Sequence, residues 1–338
     1  MSKLSISRAP DALFEPTQAG ALRMKNRIVM AALTRNRAGP GLVPSLMAAD
    51  YYSQRATAGM TIAEATQVSP QAQGYADTPG CYTDAQPAGW KVVTDAVHAK
   101  GRTIVVQLWH TGRVSHTLFQ KDGAAQVGPS AIRAHTQTFI GAHGYLLDAF
   151  LRNGSNHRTD RYGGSIENRF RLRVEVTAAV ASAIGSDRLG VRLSPVSPVN
   201  DSKDSHPQAL FNHVVERLSL MKLAYVHMVE GATGGARDNE PFDYAALRDR
   251  FGGTWIVNNG YDRAMALDAI SSGRADLVSF DGAFISNPDL VQRLVDDAPL
   301  VPLMDRSTLY GGGAHGYKAY PTLRDAQGAR LERSTALA

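Results

Sequence analysis

Short apolar runs rich in β-branched residues recur along the chain and alternate with longer stretches whose apolar positions return every three to four residues. A strand buried on both faces reads as a continuous apolar run, which is how parallel sheets are written, and the amphipathic stretches between have the length of crossover helices. Seven runs predict strands, at residues 27–31, 60–65, 103–109, 190–194, 224–229, 255–259 and 275–280. Six stretches predict helices, at 45–57, 86–100, 166–184, 207–221, 243–250 and 262–272, several opened by Ser, Asp or Pro in a capping position. No linker, charge block or solenoid-length repeat interrupts the series, so one domain over 1–338 is expected, with a C-terminal extension from about residue 300.

Polar residues and glycines cluster just after these strands: Leu33-Thr34-Arg35, Thr66-Gln67, His110-Thr111-Gly112-Arg113, Glu230-Gly231 and Asn259-Gly260. Singly, such residues are ordinary turn formers. Recurring after nearly every strand of a closed parallel barrel, they would line its carboxyl end, where active sites are assembled. One interval breaks the pattern. A βα unit needs on the order of 30 residues, and the stretch from 122 to 143 has no room for both a crossover helix and a buried strand. Either residues 139–142 supply a stub in place of an eighth strand, or the barrel has an open seam there.

Composition narrows the class. A chain of 338 residues at 43% apolar content must bury a sizeable core. The lone Cys81 excludes an intrachain disulfide and a multi-thiolate metal site, so no metal is expected and a reducing compartment is the default. The first 16 residues lack the apolar block of a signal peptide, and no run approaches the ~18 apolar residues of a membrane helix; a cytoplasmic protein without a membrane partner is expected. The formal charge of +5 favours anionic ligands, but the basic residues are dispersed, a poor footprint for nucleic acid. The phosphate-binding Gly-x-x-x-x-Gly-Lys, a dinucleotide Gly-x-Gly-x-x-Gly after a strand, the zinc-protease His-Glu-x-x-His and the hydrolase Gly-x-Ser-x-Gly are all absent.

Longer words carry the chemistry. Asn26-Arg27-Ile28-Val29-Met30-Ala31-Ala32-Leu33-Thr34-Arg35, Glu64-Ala65-Thr66-Gln67, Gln107-Leu108-Trp109-His110-Thr111-Gly112-Arg113, Gly141-Ala142-His143-Gly144-Tyr145 and Asn156-His157-Arg158-Thr159-Asp160-Arg161-Tyr162-Gly163-Gly164-Ser165 follow one another in order. Gly190-Val191-Arg192-Leu193-Ser194-Pro195, Asn258-Asn259-Gly260-Tyr261 and Tyr310-Gly311-Gly312-Gly313 extend the set across nearly the whole chain. Together they resemble the old yellow enzyme family of FMN-dependent ene-reductases, including N-ethylmaleimide reductase-like members.

The resemblance implies FMN across the carboxyl mouth of a (β/α)8 barrel of the FMN-linked oxidoreductase type, reduced by NADPH or NADH and passing hydride to the β-carbon of an α,β-unsaturated carbonyl compound. Tyr145 matches the proton donor to the α-carbon, and a phenol near pKa ~10 stays protonated for that task. His143 matches a donor to the substrate carbonyl oxygen. Thr34, Gln107 and Arg192 match contacts to the flavin's carbonyl and pyrimidine edge, and Ala32, Leu33 and Ala65 its ring contacts, while Asn259 and the backbone amides near Gly260 and Gly282 are left to bind the cofactor's phosphate. Tyr75 and Trp109 match aromatic groups of the substrate pocket, with core packing as the alternative for Trp109. The expected partner is a small enone, and the expected assembly a monomer or homodimer.

Three positions depart from the family's pattern. Ile140 stands where a second carbonyl-binding histidine is expected, the unit before His143 lacks its fourth strand or has it replaced, and Phe280-Asp281-Gly282 stands where the family has Phe-Gly-Arg, an arginine that grips the phosphate. Weak FMN retention is therefore expected, and two alternatives stay open: a flavin-poor, impaired relative acting as a binding protein or remnant, and an isomerase-type variant on a specialised enone.

Overall fold

The computed structural model describes residues 10–134, 144–237, 241–303 and 305–325. The expected strands form along their apolar runs. A hairpin of β1 (Thr17–Ala19) and β2 (Leu22–Met24) precedes β3 (Ile28–Met30), α1 (Leu46–Gln54), β4 (Met60–Gln67), α2 (Ala85–His98) and β5 (Thr103–Trp109). Then come α3 (Leu146–Leu151), α4 (Ile166–Ile184), β6 (Gly190–Leu193), α5 (Pro207–Leu220), β7 (Tyr225–Val229), α6 (Tyr244–Arg250), β8 (Thr254–Asn258), α7 (Arg263–Ser271), β9 (Leu277–Phe280), α8 (Gly282–Ser286) and α9 (Leu290–Val295). The capping residues act as their chemistry dictates. Ser165 accepts from the Asn168 amide, Asp243 from Ala246 and Asp262 from Met265, and Pro207 opens α5.

Among the described residues seven strands pair in parallel, in the order β5-β4-β3-β9-β8-β7-β6. The sheet curls with an inner core of Val29, Met60, Ile62, Tyr225, Ile256 and Leu277, and Ala19 and Met24 of the hairpin join that cluster, plugging the amino end of the barrel. Outside, the helices bury a larger shell that includes Trp255, Phe170, Phe211 and Phe284. The two end strands, β5 and β6, do not pair with one another, so the barrel has a seam between them. The stub considered at residues 139–142 lies outside the described residues. Helix α4 runs beside the opening, and a cavity of ≈ 420 Å³ lies between its Thr177, Val180 and Ile184 and the edges of β5 and β6.

The C-terminal segment returns to the mouth and is stitched there by three arginines. Arg35 donates to the carbonyls of Leu309 (3.0 Å) and Gly316 (2.6 Å) and to the Tyr51 hydroxyl. Arg37 donates to the carbonyl of Thr308 (2.8 Å), and Arg55 to those of Phe284, Ile285 and Tyr317. Tyr317 is buried and stacks on Tyr51 with ring centroids 4.2 Å apart, between these guanidinium planes.

Candidate active site

Parallel strands all deliver their carboxyl ends to one face, and that face gathers most of the residues expected there. Ala65 is buried on β4, directly opposite Gln107 on β5. Ala32 and Leu33 follow β3 and lean on the barrel's two cores, and Thr34 comes next. Arg192 projects from β6, with Nη2 donating to the Asn258 side-chain oxygen at 3.1 Å. Burial lowers the Arg192 pKa, a shift opposed by the negative charge of Asp281.

Three polar groups at this mouth are left uncommitted. The Thr34 hydroxyl and the Gln107 amide make no hydrogen bond with the described residues, and Arg192 Nε is buried without a partner. Of the three only Arg192 Nε is desolvated, and an unpartnered buried donor is costly; Thr34 and Gln107 are half-buried and free to meet a donor–acceptor edge from a ligand. These residues fit the pyrimidine edge of a flavin. Gly260 (φ +66°) and Gly282 leave open space where a side chain would stand, so backbone can approach a phosphate at both places. Asn259 contributes only backbone. Its side chain donates to the Glu230 and Ala232 carbonyls and accepts from the Gly234 amide, closing the loop after β7.

Asp281 does not point where the sequence pattern suggested. Its carboxylate accepts from Asn258 Nδ2 at 3.1 Å and so faces inward, toward the group that also receives Arg192. Burial pushes the Asp281 pKa up, while Arg192 and Asn258 oppose that shift.

Tyr145, Tyr75 and Trp109 form one aromatic cluster beside the seam. The two phenolic oxygens are 3.2 Å apart; Trp109 stacks on Tyr75 at 5.5 Å and meets Tyr145 edge-on at 4.9 Å. Burial raises the pKa of both phenols, that of Tyr145 well above its ordinary value, so each keeps its proton at neutral pH. Core packing and pocket lining are therefore the same role for Trp109.

With no fourth strand, Tyr145 would be expected on an irregular loop; it instead stands at the N-cap of α3. The Leu146 amide donates to the His110 carbonyl at 3.0 Å, and Gly144 (φ +79°) lies so close to Asn200 that a Cβ would clash. Asp148, one turn on, accepts from the Ser202 hydroxyl at 2.7 Å, the Gly144 amide at 3.2 Å and Arg152 Nε at 3.1 Å. The buried Arg152 carries its other nitrogens to the carbonyls of Ser194 (2.7 Å) and Pro195 (2.5 Å), just after β6. Sequence reasoning missed Asp148 and Arg152; the i,i+4 pairing on the apolar word Leu-Leu-Asp-Ala-Phe-Leu was the available signal. His143 and Ile140 lie outside the described residues.

Glu64 was missed as well. Its buried carboxylate accepts the Arg35 amide at 3.1 Å, while its own amide donates to the Tyr52 hydroxyl. Burial raises its pKa to about 7 against the pull of Arg35 and Arg37. Among the described residues no cluster of metal-ligating side chains occurs and no helix is long and apolar enough to cross a membrane.

The chain matches the NADH:flavin oxidoreductase / NADH oxidase family over residues 12–140 and 138–300. It is 41% identical to the putative 12-oxophytodienoate reductase 2 of Oryza sativa subsp. japonica, across 93% of this chain and 94% of that protein. That alignment spans 357 positions, more than this chain has residues, so the relative carries residues with no counterpart here. Among solved structures, morphinone reductase in complex with tetrahydroNAD is similar with a TM-score of 0.86 at 39% identity, covering 92% of this chain and 98% of that one. The old yellow enzyme homologue from Zymomonas mobilis gives 0.87 at 37% identity, covering 92% and 100%.

Proposed function

The chain belongs to the NADH:flavin oxidoreductase / NADH oxidase family, and from that premise we propose that it reduces the carbon–carbon double bond of an α,β-unsaturated carbonyl compound with Tyr145 as proton donor. It is an FMN enzyme that takes its electrons from a nicotinamide. FMN, when bound, supplies the hydride chemistry between nicotinamide and alkene. Thr34, Gln107 and Arg192 would hold its pyrimidine edge, and the backbone at Gly260 and Gly282 its phosphate.

The observation that carries the reading is the Tyr145–Tyr75 pair, two protonated phenols joined at 3.2 Å in a largely dry pocket at the mouth. A hydroxyl held this way can release its proton to a carbon that gains electron density, and Tyr75 stabilises the oxygen left behind. Trp109 fixes the ring edge-on and so sets where that proton is delivered. The α3 anchors serve the same end, because an error near 1 Å can cost about a hundredfold in rate. The segment after about residue 300 acts in this reading as part of a single domain, a strap over the mouth.

The test is NADPH oxidation with a cyclic enone. Tyr145→Phe is expected to lower kcat by about 10²–10⁴ with flavin absorbance retained. Unchanged turnover in that variant removes Tyr145 from the reaction. A wild-type protein that holds FMN yet leaves enones untouched would shift the assignment to isomerisation.

A further inference from the structure

The seam cavity opens at one end into the mouth, where Gln107, Trp109, Tyr145 and Arg192 line it, and its chemistry changes toward α4. Val105, Val180, Ile184, Leu189 and Val191 give it apolar walls, and its ≈ 420 Å³ falls inside the ~300–1,000 Å³ of small-molecule sites. At its rim Val106, Leu108, Val176 and Ile184 remain 37–47% exposed, a clustered patch rather than scattered surface residues.

Set into these walls is Arg173 of α4, only 8% exposed and making no hydrogen bond with any described residue; its Nε is sealed from solvent. Burial pulls its pKa down to about 10. Among the described residues the only acid lining the cavity is Asp148, whose oxygens are already engaged by Arg152, Ser202 and the Gly144 amide. Two guanidiniums, Arg152 and Arg173, thus share one carboxylate, and Arg188 and Arg192 add positive charge along the same lining. A guanidinium desolvated without a partner is unfavourable, and its planar fork matches a carboxylate.

We propose that the α4 end of this cavity is a subsite beside the flavin's, for an amphipathic monocarboxylate whose head pairs with Arg173 and whose hydrocarbon chain fills the space between α4 and the open edges of β5 and β6. The apolar walls set the body of the ligand and the buried, unbonded guanidinium of Arg173 sets its head.

Decanoate and 1-decanol are the probes, titrated calorimetrically into the full-length protein with FMN in excess so that the mouth is occupied. Decanoate is expected to bind about tenfold or more tighter than decanol, since a hydrogen bond to a charged group carries that much discrimination. Arg173→Leu should abolish the preference while leaving decanol binding unchanged, and Val180→Trp should weaken both ligands by filling the cavity. If Arg173→Leu does not fold, Arg173→Lys should weaken decanoate severalfold and decanol not at all. Equal affinities in the wild type, a preference that survives at position 173, or a protein that dimerises through the seam and binds neither probe would each overturn the proposal.

Discussion

On the arc from β4 through β3, β9 and β8 to β7, each strand hydrogen-bonds a neighbour on either side and nearly every residue is buried. Across the seam, β5 and β6 have one neighbour each, and of the seven residues of β5 only Trp109 is buried. The arc is held by sheet hydrogen bonds and apolar packing. At the seam, the corresponding positions are held by side chains: Arg152 bridges α3 to the carbonyls after β6, and Arg113 reaches the carbonyl of Asn200 at 2.9 Å. The most exacting residue of the proposed reaction, Tyr145, stands on the second kind of support. A side chain beside an unpaired strand edge can be kept in place by polar anchors to main-chain oxygens.

The sharpest way to break this contrast is Arg152→Ala. Removing one partner from a buried charged network typically costs about 3–5 kcal/mol, comparable to the ~2–5 kcal/mol of Ile256→Ala in the arc. Urea unfolding of the two variants compares them directly, and a loss under about 1 kcal/mol for Arg152→Ala would mean that the seam is held by something else.

Next in size is the pH response of Glu64, the acid hidden in the arc. Its carboxyl is raised from 4.5 to about 7 by burial, so between those values the folded protein binds more protons than the unfolded chain. Stability from this group is present below about pH 4.5 and lost as pH rises through 7, about 3 kcal/mol in all. Glu64→Gln should remove that slope in unfolding measured at pH 5 and pH 8. An unchanged slope would mean that Arg35 and Arg37 keep the carboxylate ionised throughout.

Asp281→Asn is expected to tighten FMN by about fivefold, on the order of 1 kcal/mol of like-charge repulsion near water, read by quenching of flavin fluorescence. No change would show that the inward turn toward Asn258 already hides the charge from the phosphate. The smallest effect belongs to the seam edge: Leu108→Ala, 45% exposed, should stay within about 0.5 kcal/mol of wild type in the same urea assay.

All seven strands were legible because burial on both faces writes them as apolar runs; the 103–109 run gave β5 although its outer face is open. The hairpin at 17–24 and the six-residue α3 were not, since three-residue strands and a helix under two turns leave no period to detect. Tyr145 and Arg192 were reachable only through resemblance of whole words. Apart from the Asp148 pair, Arg152 is held by main-chain carbonyls up to 43 residues away, and Glu64 accepts an amide 29 residues away; a backbone carbonyl or amide leaves no mark on the sequence. Arg173 shows the opposite failure: an arginine on a helix reads as exposed, and only the seam beside it makes it buried.

The arginine stitches at the mouth join the beginning of the chain to its end, with 281 residues separating Arg35 from the Gly316 carbonyl it holds. During synthesis that contact waits until Gly316 has left the ribosome, and loop closure over such a span is entropically slow to find. Until then Arg35, Arg37 and Arg55 face a half-built pocket without the oxygens that will receive them. Completion of the mouth is therefore a long-range event that follows formation of the local elements around it.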